Sequence, residues 1–326
     1  MSKIRTGIVG YGNIGRGVEK AIQQNPDFEL AAILTRRSPE DLIVETKSVP
    51  KIHVDDALSL KEKIDVIILC GGSATYLPVQ GPQFAASFNT VDSYDTHAKI
   101  PDFYREMNEA SQKAGLVSVL SAGWDPGLFS MNRALMQAVL PNGAGCTFWG
   151  KGVSQGHSDA IRRVDGVETA IQYTIPIETA IEKARRGEGN LLSTREKTIR
   201  ECFVVAKAGA DKAEIETKIK TMPYYFSDYD TIVHFISRDE YDTNHTDMAH
   251  GGFVVHSGKM NGNRHTIEFS LDTNHNAEFT ASILVAYARA AYRFYMEGRT
   301  GALTVFDIPI SYLSVKSDEE LRKELL

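Results

Sequence analysis

Apolar and polar positions in the first part of the chain alternate between two periods. Short apolar runs predict strands at residues 4–9, 28–34, 65–70, 90–92 and 116–120. Apolar residues at helical spacing predict helices at residues 14–25, 79–87 and 101–114, between those strands. The run at 65–70 is continuously apolar after its first residue, as in a strand covered on both faces. The pattern predicts an α/β fold, a Rossmann-type doubly wound parallel sheet.

The pattern changes at about residue 122. Strand-like segments lie at residues 146–149, 170–175, 201–206, 231–235, 252–256 and 266–271, with helical segments at 129–139, 178–186 and 210–221. This mixture predicts a second α+β domain with an open mixed sheet. We therefore expect a dinucleotide-binding domain at 1–121 and a substrate-binding and dimerisation domain at 122–276. An open sheet commonly finds a partner, so we expect a homodimer.

The rest of the chain, residues 277–326, begins with the longest helical pattern of the sequence, at 278–297. Its length and alanine content suggest that this C-terminal segment packs back on the first domain. In the tail we expect a strand at 303–308 and a charged helix after it.

A glycine-rich turn follows the first predicted strand. Gly10, Gly12 and Gly15 have the G-x-G-x-x-G spacing, which also occurs in ordinary loops. Here a strand, a helix and a second strand surround it, as in dinucleotide-binding folds. Gly10 permits the turn, Gly12 leaves room for a pyrophosphate, and Gly15 lets the helix pack on the strand. We therefore expect this turn, with Tyr11, Asn13 and Ile14 between the glycines, to bind a dinucleotide.

The second strand ends at Thr35-Arg36-Arg37-Ser38, where an enzyme that uses NAD usually has an acidic residue to hold the ribose. A guanidinium group binds a phosphate with two hydrogen bonds and stacks on adenine. The alternative is a solvated basic turn before Glu40-Asp41. We expect NADP as the cofactor.

Three further turns follow predicted parallel strands. In such sheets ligands bind beyond the carboxyl ends of the strands. We expect the first turn and the start of the second to bind the cofactor, through Gly71, Gly72, Ser73, Ala74, Asp92, Ser93 and Tyr94. Asp95, in the second turn, and Asp125, in the third, are expected near its reactive end. The alternatives are a loop that needs glycine and acidic residues that only cap or turn.

Composition excludes several functions. The net charge of −6 argues against nucleic acid or an anionic membrane as the main partner. No apolar stretch approaches the roughly 20 residues of a spanning helix, and we expect a cytoplasmic protein. The three cysteines show no disulfide or zinc spacing, and the nine histidines show no metal motif, so no catalytic metal is expected.

The second domain supplies further polar candidates. They include Asp159, Gln155, Thr174, Arg200, His250 and Asn276. Acidic groups together with a guanidinium suggest a zwitterionic substrate. Each has an ordinary alternative: Arg200 could pair with Glu201 on the surface, and His250 could satisfy a glycine-rich bend.

Several short segments of the sequence together resemble the meso-diaminopimelate D-dehydrogenase family, and the resemblance covers essentially the whole length of the chain. The most specific are Trp124-Asp125-Pro126-Gly127 and Ser154-Gln155-Gly156-His157-Ser158-Asp159. Others are Gly10-Tyr11-Gly12-Asn13 with the paired arginines, Val91-Asp92-Ser93-Tyr94-Asp95, Phe148-Trp149-Gly150, Arg200-Glu201-Cys202-Phe203-Val204 and His250-Gly251-Gly252. The resemblance implies NADP-dependent, reversible deamination at the D centre of meso-2,6-diaminopimelate, giving L-2-amino-6-oxopimelate and ammonia. It also implies a homodimer.

The resemblance also implies roles for single residues. Asp95 and Asp125 match the residues around the reacting amino group, framed by Trp149, Gln155 and Gly156. The distal L centre would be held by Thr174, Arg200, His250 and Asn276. Asn274 is the alternative to Asn276 for this role. Asn276 is preferred because it precedes Ala-Glu-Phe-Thr in the family's manner. Which aspartate is the base stays open. The rival functions are a dihydrodipicolinate-type NADP reductase and a non-catalytic NADP sensor.

Overall fold

The computed structural model describes residues 3–246 and 248–326. They form two compact units, Met1–Met131 with Ala277–Leu326, and Asn132–Asn276. The expected boundary at 121/122 lies inside the first unit.

The strands, numbered in chain order, have the following bounds: β1 Ile4–Val9, β2 Phe28–Thr35, β3 Lys51–His53, β4 Val66–Leu69, β5 Asn89–Asp92, β6 Val117–Val119, β7 Ala144–Trp149, β8 Gly152–Val153, β9 Val167–Pro176, β10 Thr198–Ala206, β11 Asp230–Phe235, β12 His250–Met260, β13 Asn263–Thr273 and β14 Gly301–Leu303.

The α-helices are α1 Asn13–Gln23, α2 Leu77–Ala85, α3 Ile100–Ala114, α4 Leu128–Val139, α5 Gln155–Arg162, α6 Glu178–Arg185, α7 Thr194–Lys197, α8 Lys212–Lys220, α9 Arg238–Asn244, α10 Asn276–Met296 and α11 Asp318–Leu325. Short 3₁₀ helices occupy Val54–Lys63, His97–Lys99, Gly189–Leu191, Val305–Asp307 and Ile310–Leu313.

The first unit contains a seven-stranded parallel sheet in the order β14-β6-β5-β4-β1-β2-β3. One face packs against apolar residues of α1 and α10, such as Val18 and Leu284. The other packs against α2 and α3, through residues such as Phe84 and Phe103. Apolar strands covered on both faces are typical of a doubly wound fold, which confirms the predicted fold class.

Helix α10 lies directly against α1. A Cβ atom added at Gly17 would be 2.8 Å from Cβ of Ala281, so only glycine permits this approach. The buried Arg289 of α10 also binds Asp27 through two hydrogen bonds, of 2.6 and 2.9 Å, and donates to the carbonyl oxygen of Leu313 at 2.7 Å. These contacts fasten the C-terminal segment to the sheet unit.

The second unit has two sheets rather than one. A mixed sheet has the order β11-β10-β9-β8, with β10 and β11 parallel and the other pairs antiparallel. A fully antiparallel sheet has the order β13-β12-β7. The predicted α+β class with mixed strands is confirmed.

Two local predictions differ from the structure. The tail strand expected at 303–308 is the short β14, which ends at Leu303; Thr304 then caps a 3₁₀ helix by accepting from the N–H of Phe306. Helix α5 was not predicted. It spans only eight residues and has a glycine in its first turn, so its apolar period is too short to recognise.

We predict that Arg289→Leu lowers the free energy of unfolding by about 3 kcal/mol, because it leaves a carboxylate without its buried partner. Burial alone would raise the pKa of Asp27, but its hydrogen bonds with Arg289 lower it below the usual value. The contribution of the Asp27–Arg289 pair to the free energy of unfolding is therefore present at neutral pH. It is lost as the pH falls through the lowered pKa of Asp27. Denaturant titrations at pH 7 and in acid measure it.

The matched control is Arg322→Leu on the exposed surface of α11, which should change stability by less than about 0.5 kcal/mol. Equal stability of the two variants at pH 7 would contradict this role for Arg289.

Candidate functional site

The glycine turn between β1 and α1 has the geometry of a dinucleotide site. Gly10 has a φ of +91°, and a Cβ atom at Gly15 would collide with the carbonyl oxygen of Gly10. At Gly12 an added Cβ would have no heavy atom within 4 Å. The backbone before α1 is therefore open to a pyrophosphate group, and the helix start supplies N–H groups for it. Asn13 and the partly buried Ile14 begin the helix.

Tyr11 supports this turn from inside the unit. Its side chain is buried, and its hydroxyl donates to the carboxylate of the fully buried Glu19. Burial and the hydrogen bond to Glu19 raise the pKa of Tyr11 to about 12. Its carbonyl oxygen accepts a hydrogen bond of 3.0 Å from Nη2 of Arg37. Tyr11 thus presents its backbone, rather than its ring, at the turn.

The basic turn after β2 carries two exposed guanidinium groups. The N–H of Arg37 donates to the buried hydroxyl of Thr35 at 3.1 Å, which holds the turn. Arg36 lies over the ring of Tyr76, with its guanidinium carbon 3.4 Å from the ring centre. Arg36 and Tyr76 border a cavity of about 570 Å³. Tyr76 was missed by the sequence analysis, because it precedes α2 and nothing in its spacing connects it with Arg36.

The turn after β4 is closed by hydrogen bonds to one carbonyl group. The carbonyl oxygen of Gly72 accepts from the N–H groups of Thr75, Tyr76 and Leu77. Ala74 is exposed, and Gly71 lies close to Tyr76, where a Cβ atom would come within 3.1 Å of that side chain. The hydroxyl of Ser73 accepts from the N–H of Asp95 at 2.8 Å. This turn is therefore joined to the next.

The turn after β5 contains three residues expected to bind the cofactor. The carboxylate of Asp92 is fully buried, and burial raises its pKa to about 7 although it accepts N–H groups of Tyr94 and Ser121. The ring of Tyr94 is buried against Phe103. Ser93 is partly buried and Asp95 is exposed. The side chain of Asp95 is thus open to solvent, whereas those of Asp92 and Tyr94 are buried.

The turn after β6 carries the partly buried Asp125. It closes through hydrogen bonds of 3.0 Å, from the N–H of Gly123 to the carbonyl of Pro126 and from Leu128 to the carbonyl of Gly123. Gly127 has a φ of +132°, and a Cβ atom there would collide with the carbonyl oxygen of Gly123. The Trp-Asp-Pro-Gly motif therefore specifies a tight backbone that presents Asp125.

In the second unit, a buried guanidinium group is the strongest sign of a ligand site. Arg200 of β10 is 8% exposed and lies opposite Thr174 of β9. Its Nη1 donates to the hydroxyl of Thr174, and its guanidinium carbon lies 4.0 Å from the centre of the Tyr229 ring. Among the residues that the structure describes, its buried Nε has no hydrogen-bond partner. Burial lowers the pKa of Arg200.

Polar groups around Arg200 complete this cluster. Gln172 is fully buried and donates to the hydroxyl of Thr174 at 3.3 Å, while its Oε1 has no partner within residues 3–246 and 248–326. Burial lowers the pKa of His250, and the charge of Arg200 lowers it further. Native proteins rarely leave buried polar atoms without partners, so the cluster is suited to a charged ligand. Tyr229 and Gln172 were not singled out from the sequence.

The start of α5 explains the Ser-Gln-Gly-His-Ser-Asp motif. Ser154 caps the helix, and its hydroxyl lies 2.7 Å from Nδ1 of His157. The hydroxyl of Ser158 donates to the carbonyl of Ser154 and accepts from the N–H of Gln172, which ties the helix to β9. Burial, followed by the charge of Arg200, lowers the pKa of His157 to about 4. Gln155 and Gly156 remain exposed at this fixed helix start.

The other expected residues of this unit lie on several elements. Trp149 ends β7 and is 45% exposed. Nδ1 of the buried His250 accepts from the N–H of Gly251 at 2.8 Å. Asn276, partly buried, donates its N–H to the carbonyl of Met248 at 2.9 Å, whereas Asn274 is exposed.

Asp159 has a different environment. Its two carboxylate oxygens form ion pairs with Arg162, at 3.3 Å, and Arg163, at 2.6 Å, on the exposed side of α5. Both partners follow within one turn of the same helix, an arrangement typical of surface ion pairs. These ion pairs do not support the substrate-binding role that was expected for Asp159.

Over residues 3–246 and 248–326, no group of three or more His, Cys, Asp or Glu side chains is arranged to hold a metal ion. No helix in the described part of the chain has the length and apolar character needed to span a membrane.

Comparison with known proteins covers both units. Residues 4–90 match the oxidoreductase family with an NAD-binding Rossmann fold. Residues 123–275 match the diaminopimelic acid dehydrogenase C-terminal domain. The chain is 62% identical to the meso-diaminopimelate D-dehydrogenase of Ureibacillus thermosphaericus over 327 residues, covering 100% of both chains.

Solved structures agree. The diaminopimelate dehydrogenase of Corynebacterium glutamicum in complex with diaminopimelate is 46% identical, with a TM-score of 0.93 and 100% of both chains covered. An engineered D-amino acid dehydrogenase bound to NADP⁺ is 45% identical, with a TM-score of 0.88 and 100% of both chains covered.

Proposed function

The chain belongs to the meso-diaminopimelate D-dehydrogenase family, and we propose that it deaminates meso-2,6-diaminopimelate at the D centre, reversibly and with NADP. The products are L-2-amino-6-oxopimelate, ammonia and NADPH. The family membership confirms the resemblance found in the sequence and makes the protein an oxidoreductase with an NAD(P)-binding Rossmann domain. The observation that carries the choice of substrate is the buried Arg200 with its unpaired Nε.

We assign the distal L centre of the substrate to the cluster around Arg200. A guanidinium group removed from water gains most from a carboxylate with two oxygens in its plane. The hydroxyl of Thr174 and the ring of Tyr229 fix that plane from two directions. His250 and Asn276 complete the proposed set. A clamp that reads the L configuration of the distal centre explains how the two ends of the diacid are told apart. A ligand without a distal carboxylate would leave the buried donor unpaired.

We assign the reacting amino group to Asp95 and Asp125, with Trp149, Gln155 and Gly156 at the same end of the substrate. Two carboxylates hold an ammonium group, and one of them, directly or through water, accepts its proton. The resulting neutral amine donates its electron pair as the carbon–hydrogen bond breaks. When bound, the nicotinamide ring supplies the hydride acceptor. Hydrolysis of the imine then gives the oxo acid and ammonia.

The proposal of NADP rather than NAD rests on the turn after β2. Arg36 and Arg37 are both exposed there, beside the hydroxyl of Thr35 and without the acidic residue that usually holds a ribose. A 2′-phosphate would find two guanidinium groups at the end of one strand. The engineered relative bound to NADP⁺ is consistent with this choice.

We further propose a homodimer formed through the sheet β13-β12-β7. Strand β13 is an edge strand, and none of its eleven residues is buried. Long exposed edges are sites of association. Sedimentation equilibrium should give twice the chain mass at micromolar concentration, and a monomer there would contradict the proposal.

The free thiols of Cys70, Cys146 and Cys202 are those of a reducing compartment, and we propose the cytoplasm.

The function itself is tested by adding meso-diaminopimelate and NADP at alkaline pH and following the absorbance of reduced cofactor. The L,L isomer, which has no D centre, is the matched control and should give no signal. A dihydrodipicolinate-type reductase would instead oxidise NADPH with a cyclic imine, and a sensor would bind NADP without turnover. Either of those outcomes, without a signal from meso-diaminopimelate, rejects the proposed reaction.

We predict that Arg200→Met lowers kcat/KM for meso-diaminopimelate about 100-fold, since loss of a buried charged partner typically costs about 2–5 kcal/mol. Activity with simple D-amino acids, which lack the distal carboxylate, should fall far less, so selectivity relaxes. Initial rates with both substrate classes measure the ratio.

The control is Arg195→Met, which removes an arginine that is exposed and ion-paired with Asp230 at 2.7 Å. It should leave the ratio unchanged. A parallel loss for both substrate classes in Arg200→Met would exclude the distal clamp.

We predict that Arg36→Leu combined with Arg37→Leu raises KM for NADP at least tenfold. Charged hydrogen bonds contribute about 1.5–3 kcal/mol each, and about 1.4 kcal/mol corresponds to tenfold. KM for NAD should change less than about threefold, because NAD has no 2′-phosphate. Lys113→Ala, at the exposed end of α3, is the control for overall charge. Equal effects on both cofactors would rule out the phosphate role.

A further inference from the structure

Asp92, the last residue of β5, forms hydrogen bonds with two separate turns. Its Oδ1 accepts from the N–H of Tyr94 at 2.9 Å and from the N–H of Ser121 at 3.1 Å. Its carbonyl oxygen accepts from the N–H of Ala122 at 2.9 Å. The same residue therefore holds the start of the turn that carries Asp95 and the start of the turn that carries Asp125.

Other contacts pass this restraint along both turns. A Cβ atom added at Gly123 would lie 3.6 Å from Cβ of Ser93, so the two backbones pack side by side. The N–H of Asp95 is held by the hydroxyl of Ser73. From Asp92 the backbone reaches Asp95 in three residues, and from Ser121 it reaches Asp125 in four. Short tethers of this kind leave the two acidic residues little freedom to move apart.

The environment of Asp92 and Ser121 lowers the stability of the fold, so stability does not explain why it is present. The carboxylate of Asp92 is 0% exposed, and its Oδ2 is without a hydrogen-bond partner among the described residues, as is the buried hydroxyl of Ser121. Ser121 has a φ of +57°, which few non-glycine residues adopt. Burial also raises the pKa of Asp92 to about 7, so its ionised form is disfavoured. Strain and unpaired buried groups concentrate at functional sites.

We propose that Asp92 is a positioning residue, whose buried carboxyl group sets the separation of the Asp95 and Asp125 carboxylates by holding both turns. The inference rests on the proposed function, in which those two carboxylates hold the reacting amino group. Asp92 itself contacts neither substrate nor cofactor in this assignment, and so differs from the cofactor-binding role expected from the sequence.

The test compares Asp92→Ala with Asp92→Asn. Alanine removes the acceptor for both N–H groups, and kcat should fall about 100-fold, as for a displacement of about 1 Å in a reacting group. Asparagine keeps one oxygen as acceptor, and kcat should stay within about fivefold of the unmutated enzyme. A larger loss for asparagine than for alanine would overturn the proposal.

The pH profile of kcat/KM separates positioning from simple loss of folded protein. The pH profile of kcat/KM reports the essential acid and base groups of the free enzyme, and it responds when those groups are displaced. In Asp92→Ala the profile should therefore shift along the pH axis. Loss of folded enzyme would scale the profile without moving it. The affinity for NADPH, measured by the fluorescence of the bound cofactor, should stay within about twofold of that of the unmutated enzyme. Such a result shows that the variant is folded.

Asn89 provides a matched control at the other end of β5. Its buried amide accepts from the N–H of Val117 at 2.9 Å and donates to the carbonyl of Asp65 at 2.8 Å, so it also joins two segments. Asn89→Ala should lower stability but leave the pH profile in place. If it shifts the profile as Asp92→Ala does, Asp92 has no particular role.

Hydrogen exchange keeps the inference testable apart from the reaction. In Asp92→Ala, peptides containing Tyr94 and Ser121 should exchange faster, and in Asp92→Asn and Asn89→Ala they should not. If the unmutated protein fails to oxidise meso-diaminopimelate, the proposed function falls, and exchange alone decides whether Asp92 holds the turns. Unchanged protection in Asp92→Ala overturns the restraint itself.

Discussion

The first unit depends on the parallel pairing that places the last residues of its central strands side by side. Val9 of β1 pairs with Leu34 of β2 and Leu69 of β4, and Leu69 pairs with Asp92 of β5. Parallel strands in register must end at one edge, and the chain leaves every strand there through a turn. The glycine turn, the basic turn and the acidic turns meet for this reason. The functional residues of these turns are far apart in the sequence, and the backbone hydrogen bonds of the sheet bring the turns to one edge.

Buried charge imposes the second constraint. Removing a guanidinium or carboxylate group from water is unfavourable unless it is paired. Arg289 satisfies this rule with Asp27 and serves stability. Arg200 and Asp92 do so only in part, since Nε of the former and Oδ2 of the latter have no partner within the described ranges. Arg289 is thus fully paired, whereas the incomplete pairing of Arg200, and of Asp92, whose ionised form burial disfavours, is consistent with the roles proposed for them.

The sequence predicted the elements whose period is long or whose turn chemistry is distinctive. The parallel strands, the glycine turn and the long α10 belong to this group, because apolar periodicity and positive φ are local properties. It could not predict Tyr76 under Arg36 or Tyr229 under Arg200, since stacking depends on tertiary approach. It placed Asp92 beside the cofactor, because a polar residue after a strand usually faces the crevice. Its buried carboxylate accepts from the N–H of Tyr94, two residues later, and from the N–H of Ser121, 29 residues later, and the second contact is not visible in the local sequence.

Helix α5 shows how a specific motif combines local and distant roles. Ser154 and His157 fix the helix start, and Ser158 reaches the strand that also carries Gln172 and Thr174. The neutral His157 adds no second positive charge near Arg200, because burial and that guanidinium both lower its pKa. The cluster thus concentrates one positive charge at a single group. A single fixed guanidinium group fits the one distal carboxylate group of the proposed substrate.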